Sequence, residues 1–412
     1  MAVLAADERG SSDLSVILLI GAGHFSSHVL QLALPPLFPI LHGEFGIGFT
    51  QLGLIVTLFY VASGLGQAAA GFLVDRYGAY RLLIGGLVLL SAAIALAGLA
   101  GSYWLLLVLA PIAGLGNSVF HPADLAILSH RVSEGRLGRA YAVHGISGSL
   151  GYAASPLLIT FIAASASWRI ALIAVGCGGL AVAATLFANR DLLAYRQAPA
   201  ARPLGAAPRR ARYLDVIGAP VVLMAFGYFA LTAFAGTGMQ TFSITALASG
   251  YGLALSTATL GLTCYLVGGA TGIMLGGILA DRTQQHHRVA MTGITVASLL
   301  MFLIAGSSAI GIYVVPVMAL AGMANGITGP SRDVLIRRAA MGIGTGSVFG
   351  FVYSGFDFGS SIAPLLFGML LDHQAPHAVF LTIACAFALG VPTVMQVQHR
   401  VATRAQAPAR AD

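Results

Sequence analysis

Long apolar runs alternate with short polar breaks along almost the whole chain, and most reach the length of about 20 residues that a helix needs to cross bilayer hydrocarbon. Twelve can be marked: 14–39, 50–74, 82–101, 103–128, 138–163 and 168–187, then 215–247, 256–280, 289–306, 309–336, 346–371 and 377–396. Each predicts a transmembrane helix, because a helix satisfies its own backbone hydrogen bonds in lipid. An even number of spans puts both ends on one side. The first run is too long for a signal-peptide core and meets Pro35, Pro36 and Pro39 rather than a small-residue cleavage site, so it is expected to be retained.

Composition excludes a soluble domain. Of 412 residues, 58% are hydrophobic and 8% charged, against about 45–50% and about 25% in ordinary globular chains; the mean hydropathy is +0.87. The 52 glycines suit helices whose backbones approach closely in lipid. Cys177, Cys264 and Cys385 fall singly inside apolar runs and read as small core hydrophobes, not as a disulfide framework or thiolate metal cluster.

All 21 cations are arginine. A Walker loop needs a lysine, so ATP is not the energy source within this chain. The net charge of +7 sits in short clusters between apolar runs, a layout that marks topology and anionic lipid as counter-charge rather than nucleic acid. Arg76 and Arg81, Arg131, Arg136 and Arg139, six arginines from Arg190 to Arg212, Arg282 and Arg288, and Arg332, Arg337 and Arg338 all fall on even-numbered connections. Arg9, Arg400, Arg404 and Arg410 lie on that same side, and only Arg169 opposes them. Both termini are therefore expected in the cytoplasm, of a bacterial inner membrane in the simplest reading.

The connection around 189–213 holds Pro199, Pro203 and Pro208 with those six arginines and reads as a flexible basic linker. It divides a six-helix bundle at 1–188 from another at 214–396, with a cytoplasmic tail at 397–412. The halves repeat. Gly114, Asn117 and Pro122 align with Gly322, Asn325 and Pro330 at an offset of 208, which also pairs Gly138 with Gly346, Gly151 with Gly359 and the Pro156-Leu-Leu triplet with Pro364-Leu-Leu. Asp75-Arg76 recurs as Asp281-Arg282 at an offset of 206, the slip expected from loop-length differences. Duplicated bundles joined by a linker are an architecture for rocking one half against the other, which points to transport and not to catalysis.

The stretch Gly71-x-Leu-x-Asp75-Arg76-x-Gly78 resembles the signature loop of the major facilitator superfamily, and Gly277-x-Leu-x-Asp281-Arg282 resembles its second-half echo. Ala79 and Tyr80 replace the family's usual basic pair. The resemblance covers essentially the whole chain and implies an all-α membrane protein with twelve transmembrane helices in two pseudo-symmetric bundles. On physical grounds Asp75 and Arg76 are expected to gate, the arginine bridging to carbonyls or acids of the opposing bundle as a latch favouring the outward-open state, with Asp281 and Arg282 contributing less; the other reading is a plain turn and topology signal. An aspartate there can cap the next helix. Ser118-Val-Phe120-His121-Pro122 is similar to a segment of fosmidomycin-resistance-type exporters, with Ala123 and Asp124 where those place a glutamate after the proline.

Ionisable groups at membrane depth cost about 2.5–3.5 kcal/mol on insertion scales and usually face a bundle interior. His24, His28 and Gln31 share one stripe of the first span, and Asn117, His121 and Asp124 share one stripe of the fourth. The resemblance implies that both stripes border the central cavity. Asp124 and His121 are then candidate proton carriers, with His24 or His28 as partners; the alternative is that Asp124 pairs with Arg131 or Arg139. Asp357, beside Tyr353, Ser354, Ser360 and Ser361, is the second half's deep carboxylate and reads either as a cation or proton site or as a helix–helix hydrogen bond. His144, close to Arg139, reads as a gate. Tyr60, Gln67, Gln240 and Asn325 are further polar lining.

Imidazoles one turn apart can chelate zinc or nickel, which keeps a metal in view as a transported substrate; no resident metal or cofactor is expected. Gly145, Gly148 and Gly151 before Pro156, and Gly350, Gly355 and Gly359 before Pro364, loosely resemble the glycine-proline motif of drug–proton antiporters. Together these features predict a monomeric proton-coupled exporter of a small amphiphilic compound. Proton-linked uptake of an organic solute is the nearest alternative, and a membrane-embedded enzyme or sensor a more distant one.

Overall fold

A computed structural model describes residues 2–195, 220–307, 309–340 and 345–406. The linker positions 196–213 and residues 407–412 lie outside them, as do the side chains of Arg9, Arg337, Arg338, Tyr353, Arg400 and Arg404. Among the described residues twelve helical stretches are long and apolar enough to cross a membrane. The backbone contacts divide the chain into two compact units, 1–202 and 203–412.

In the first unit the helices are α1 (Ala2–Gln31), α2 (Phe38–Phe45), α3 (Phe49–Tyr77), α4 (Ala79–Ala97), α5 (Tyr103–Asn117), α6 (Phe120–Arg131), α7 (Leu137–Ser165), α8 (Trp168–Ala188) and the short α9 (Arg190–Leu193). The second unit holds α10 (Pro220–Gly250), α11 (Leu255–Arg282), α12 (His286–Gly306), α13 (Val314–Ala340), α14 (Thr345–Asp372) and α15 (Pro376–Gln406).

Prolines decide where two spans are interrupted. Pro35 and Pro36 form a 3-10 turn with Leu37 between α1 and α2, because a proline offers no backbone N–H and constrains the residue before it. The fourth span breaks at Ser118 and Val119, four and three residues before Pro122, and restarts as α6. Its second-half counterpart carries Pro330 inside an unbroken α13.

The same helix pairings build both units. In the first, α1 packs on α7, α3 on α5 and α4 on α8; in the second, α10 packs on α14, α11 on α13 and α12 on α15. Glycines set the closest approaches at equivalent positions. A Cβ on Gly114 would meet the Phe59 carbonyl and one on Gly322 the Tyr265 carbonyl; Gly151 likewise faces Phe25 and Gly359 faces Ala230. The duplication read from sequence thus reappears as duplicated backbone contacts. Outward faces carry large exposed apolar side chains such as Phe72, Leu65 and Phe161, which suits contact with hydrocarbon.

Helix ends differ from the expected ones in an instructive way. Asp75 and Arg76 lie in the last turn of α3, not at the start of α4: Gly78 alone, at φ +90°, makes the connection, and its N–H bonds the Val74 carbonyl. Only a residue without a Cβ turns the chain so sharply there. Asp281 and Arg282 similarly end α11. Arg332 sits within α13 rather than in a loop, because the helix extends past its apolar run. The start of the stretch read as linker also folds: α9 packs on α1, α6 and α8, with Leu193 buried. The last helix continues through the first residues read as tail, to Gln406.

Candidate functional site

The polar centre of the first unit is assembled from α1, α6 and α7. Spacings of four and three residues along α1 direct His24, His28 and Gln31 to one side of the helix. The opposing helix makes room for them: a Cβ on Gly148 would stand 2.7 Å from His24 Nε2 and 2.8 Å from His28 Cε1. A single missing side chain on α7 therefore admits both imidazoles.

Asp124 of α6 is fully buried. His144 Nε2–H donates to its Oδ2 at 3.0 Å, and His24 Nδ1 lies 3.3 Å from the same oxygen. The His24 and His144 rings stack at 3.7 Å between centroids, with 21° between their planes. His121 completes the group, its ring 5.3 Å from that of His24 and 6.0 Å from that of His144, and it is the exposed member. One turn further along α1, His28 donates from Nδ1 to the Gly148 carbonyl at 3.0 Å and rests against the Tyr152 ring at 4.1 Å. A buried carboxylate is costly unless it is paired and hydrogen-bonded. Here the imidazoles supply that pairing on one oxygen, while Oδ1 is buried and has no hydrogen-bond partner among the described residues.

The break at Ser118 and Val119 gives α6 its direction. It places His121 in the first turn of α6, where unpaired backbone N–H groups and the helix dipole create a positive end. It also separates Asn117 from the stripe expected to include it: Asn117 ends α5 and donates from Nδ2 to Ser63 Oγ on α3 at 3.0 Å. Gln31 extends the polar track along α1, donating from Nε2 to the Tyr60 hydroxyl at 3.2 Å.

Neither arginine considered as a partner of Asp124 takes that place. Arg131 Nε donates to the Leu192 carbonyl at 2.6 Å, and the ion pairs of Asp124 among the described residues are with His24 and His144. His144, read as a gate from its closeness to Arg139 in sequence, instead lies inside the cluster. The signal that could have found it is the glycine one turn on, at 148, which puts His144 and the gap for His24 on one face of α7.

The second unit carries no copy of this arrangement among its described residues. Asn325 repeats the pairing of Asn117, with Nδ2 3.5 Å from the Tyr265 hydroxyl on the neighbouring span. Gln240 is half-buried on α10. Asp357 is half-buried and forms no ion pair among the described residues. Ser354 and Ser361 bond carbonyls of their own helix, and the contact between helices comes from Thr237, whose hydroxyl donates to Ser360 at 2.9 Å. The repeat offset of 208 puts Arg332 where the first unit has Asp124. Its guanidinium lies 4.5 Å over the Phe229 ring and 5.5 Å from that of Phe356. The first unit's site is thus acidic and imidazole-rich, while the second unit's equivalent position holds an arginine set over aromatic rings and paired with Asp333 at 2.9 Å.

Chemically, the first-unit cluster can hold a proton between a carboxylate and adjacent imidazoles. Ring nitrogens of His24, His121 and His144 also lie within 4.8 Å of one another, close enough to share an ion.

Comparison with known proteins agrees with this architecture. Residues 20–245 and 224–411 match the family model of the Major Facilitator Superfamily. The fosmidomycin resistance protein of Escherichia coli strain K12 is 25% identical over 404 residues, 96% of each chain. A multidrug resistance protein B homolog of Mycobacterium tuberculosis is 30% identical over 144 residues, 34% of this chain and 26% of that one. The crystal structure of a bacterial homologue of the human lysosomal transporter Spinster, inward-facing and occupied, superposes with a TM-score of 0.74 at 14% identity, covering 96% of this chain and 98% of that chain. With two matched halves that together span nearly the whole sequence and the repeated helix pairings, the chain belongs to the major facilitator superfamily of membrane transporters.

Proposed function

We propose that this transporter exports a small amphiphilic or drug-like compound in exchange for protons, by alternating access across a bacterial inner membrane. The observation that carries the reading is the fully buried Asp124, hydrogen-bonded by His144 and flanked by His24, with His121 as the exposed member of the cluster. A carboxylate so placed gains or loses its proton only as the surrounding imidazoles and access to water change, which is what coupling requires. His28, Gln31 and Asn117 extend the polar lining, and Gln240, Asn325 and Asp357 are proposed to supply the second half's polar contacts to the solute. Asp75, Arg76, Asp281 and Arg282, at equivalent helix ends, are proposed to gate. Export is supported by the full-length resemblance to a fosmidomycin resistance protein and the partial one to a multidrug resistance homologue.

The test is solute movement in proteoliposomes under an imposed pH gradient, beginning with fosmidomycin and a panel of amphiphilic drugs. Export by antiport predicts that solute moves against the direction of the proton flux it triggers. Movement of both in the same direction would instead establish proton-linked uptake.

A further inference from the structure

We propose that His24, His121 and His144, with Asp124 as fourth ligand, form a binding site for a divalent late-transition cation of the zinc class. Zinc takes imidazole nitrogen and carboxylate oxygen at about 2.0–2.2 Å in tetrahedral geometry, so neighbouring ligand atoms stand about 3.3 Å apart. Two edges of such a tetrahedron are already present: His144 Nε2 to Asp124 Oδ2 at 3.0 Å and His24 Nδ1 to the same oxygen at 3.3 Å. The three imidazoles each offer a ring nitrogen within 4.8 Å of the others, and Asp124 joins them through its contacts to His144 and His24.

Two buried atoms point to a missing partner. Asp124 Oδ1 makes no hydrogen bond among the described residues, and His24 Nδ1 meets the carboxylate only across 3.3 Å, although both atoms are shielded from solvent. Leaving such groups unmet is costly, more so when they are charged. A cation held by His24 and the Asp124 carboxylate would meet both. The donor set of imidazole and carboxylate without thiolate or carbonyl favours zinc, cobalt, nickel or copper(II) over magnesium or calcium.

The supporting frame is suited to a fixed site. The ligands stand on three packed helices, α1, α6 and α7, and Gly148 admits the His24 ring without clash. His28, tied to the Gly148 carbonyl, buttresses His24 from one turn away at 4.4 Å between ring centroids. His121 is the exposed member of the set. Because metal ligands must be deprotonated, a bound cation would take the place of the coupling proton; that consequence, unlike the binding itself, rests on the proposed function.

Cobalt(II) titration of the purified chain, free of any polyhistidine tag, reads the site directly through visible absorption. The expected result is one cobalt per chain with the intense bands of a tetrahedral centre, displaced by zinc. Affinity should fall about tenfold or more in His24→Ala and His144→Ala, and stay unchanged in His373→Ala, an exposed histidine of the second unit that bonds its own helix at Met369. Zinc should also raise the thermal unfolding midpoint of the wild type and of His373→Ala, which keeps the test meaningful if the site variants fold poorly. Cobalt binding equal in the wild type and a His24→Ala/His144→Ala double variant, or no zinc-dependent shift of the midpoint, would overturn the proposal. The assay reads binding without transport, so a negative result leaves proton coupling standing and a positive one survives its failure.

Discussion

Gly148 lies so close to His24 that a Cβ on the glycine would stand 2.7 Å from the imidazole Nε2. The Gly148→Ala substitution must therefore push His24 or His28 aside, and overpacking of this kind costs about 1–3 kcal/mol. Gly145, one turn earlier on α7, has no heavy atom within 4 Å of its added Cβ. Thermal unfolding in detergent should show a lowered midpoint for Gly148→Ala and almost none for Gly145→Ala. Equal midpoints would mean that α7 does not hold the imidazoles in place.

The duplicated glycine contacts predict a matched pair of effects. Gly114→Ala would bring a Cβ against the Phe59 carbonyl and Gly322→Ala one against the Tyr265 carbonyl, backbone in both cases and so unable to yield by a rotamer change. Each should destabilise its own unit by about 1–3 kcal/mol or more. Tryptic protection of the two halves reads this separately: the first half should become more readily cleaved with Gly114→Ala, the second with Gly322→Ala.

Arg131 separates two readings of Asp124. Its guanidinium holds the Leu192 carbonyl at 2.6 Å and thereby docks α9. Arg131→Ala is expected to lose about 1–2 kcal/mol of stability from that hydrogen bond while solute-dependent proton flux keeps its dependence on Asp124. A loss of coupling in Arg131→Ala without loss of stability would show that the arginine, not the imidazoles, serves the carboxylate.

An exposed pair gives a deliberate near-zero expectation. Arg169 and Glu44 meet at 2.9 Å, but both side chains are about two-fifths exposed, at 41% and 38%. Such pairs contribute about 0.2–1 kcal/mol, so Glu44→Gln should shift the unfolding midpoint little, and less still at high salt.

The spans and the duplication were legible because both depend on what sequence displays directly, namely the length of apolar runs and the recurrence of Gly114, Asn117 and Pro122 as Gly322, Asn325 and Pro330. The juxtaposition of His24, His121 and Asp124 follows from helical spacing together with the placing of the first and fourth spans that the family resemblance implies. The place of His144 does not follow from either. Its closeness to Asp124 is set by how α6 packs on α7, which linear distance to Arg139 does not reveal. Asn117 parts from the expected stripe for a related reason: a period of 3.6 residues holds only along an unbroken helix, and this span is interrupted just after Asn117. Helix ends were read too short at Arg332 and in the last span, since apolar content marks what lies in lipid rather than where hydrogen bonding stops.

Asp124→Asn tests the central claim most directly. The amide keeps the shape of the carboxylate and can still bond His144, so the purified variant should fold, with an unfolding midpoint close to that of the wild type. In proteoliposomes under an imposed pH gradient, the wild type should couple solute movement to proton flux, and the variant should lose that coupling while exchanging solute down its own gradient. Proton-driven transport that persists undiminished in the folded variant would contradict the account.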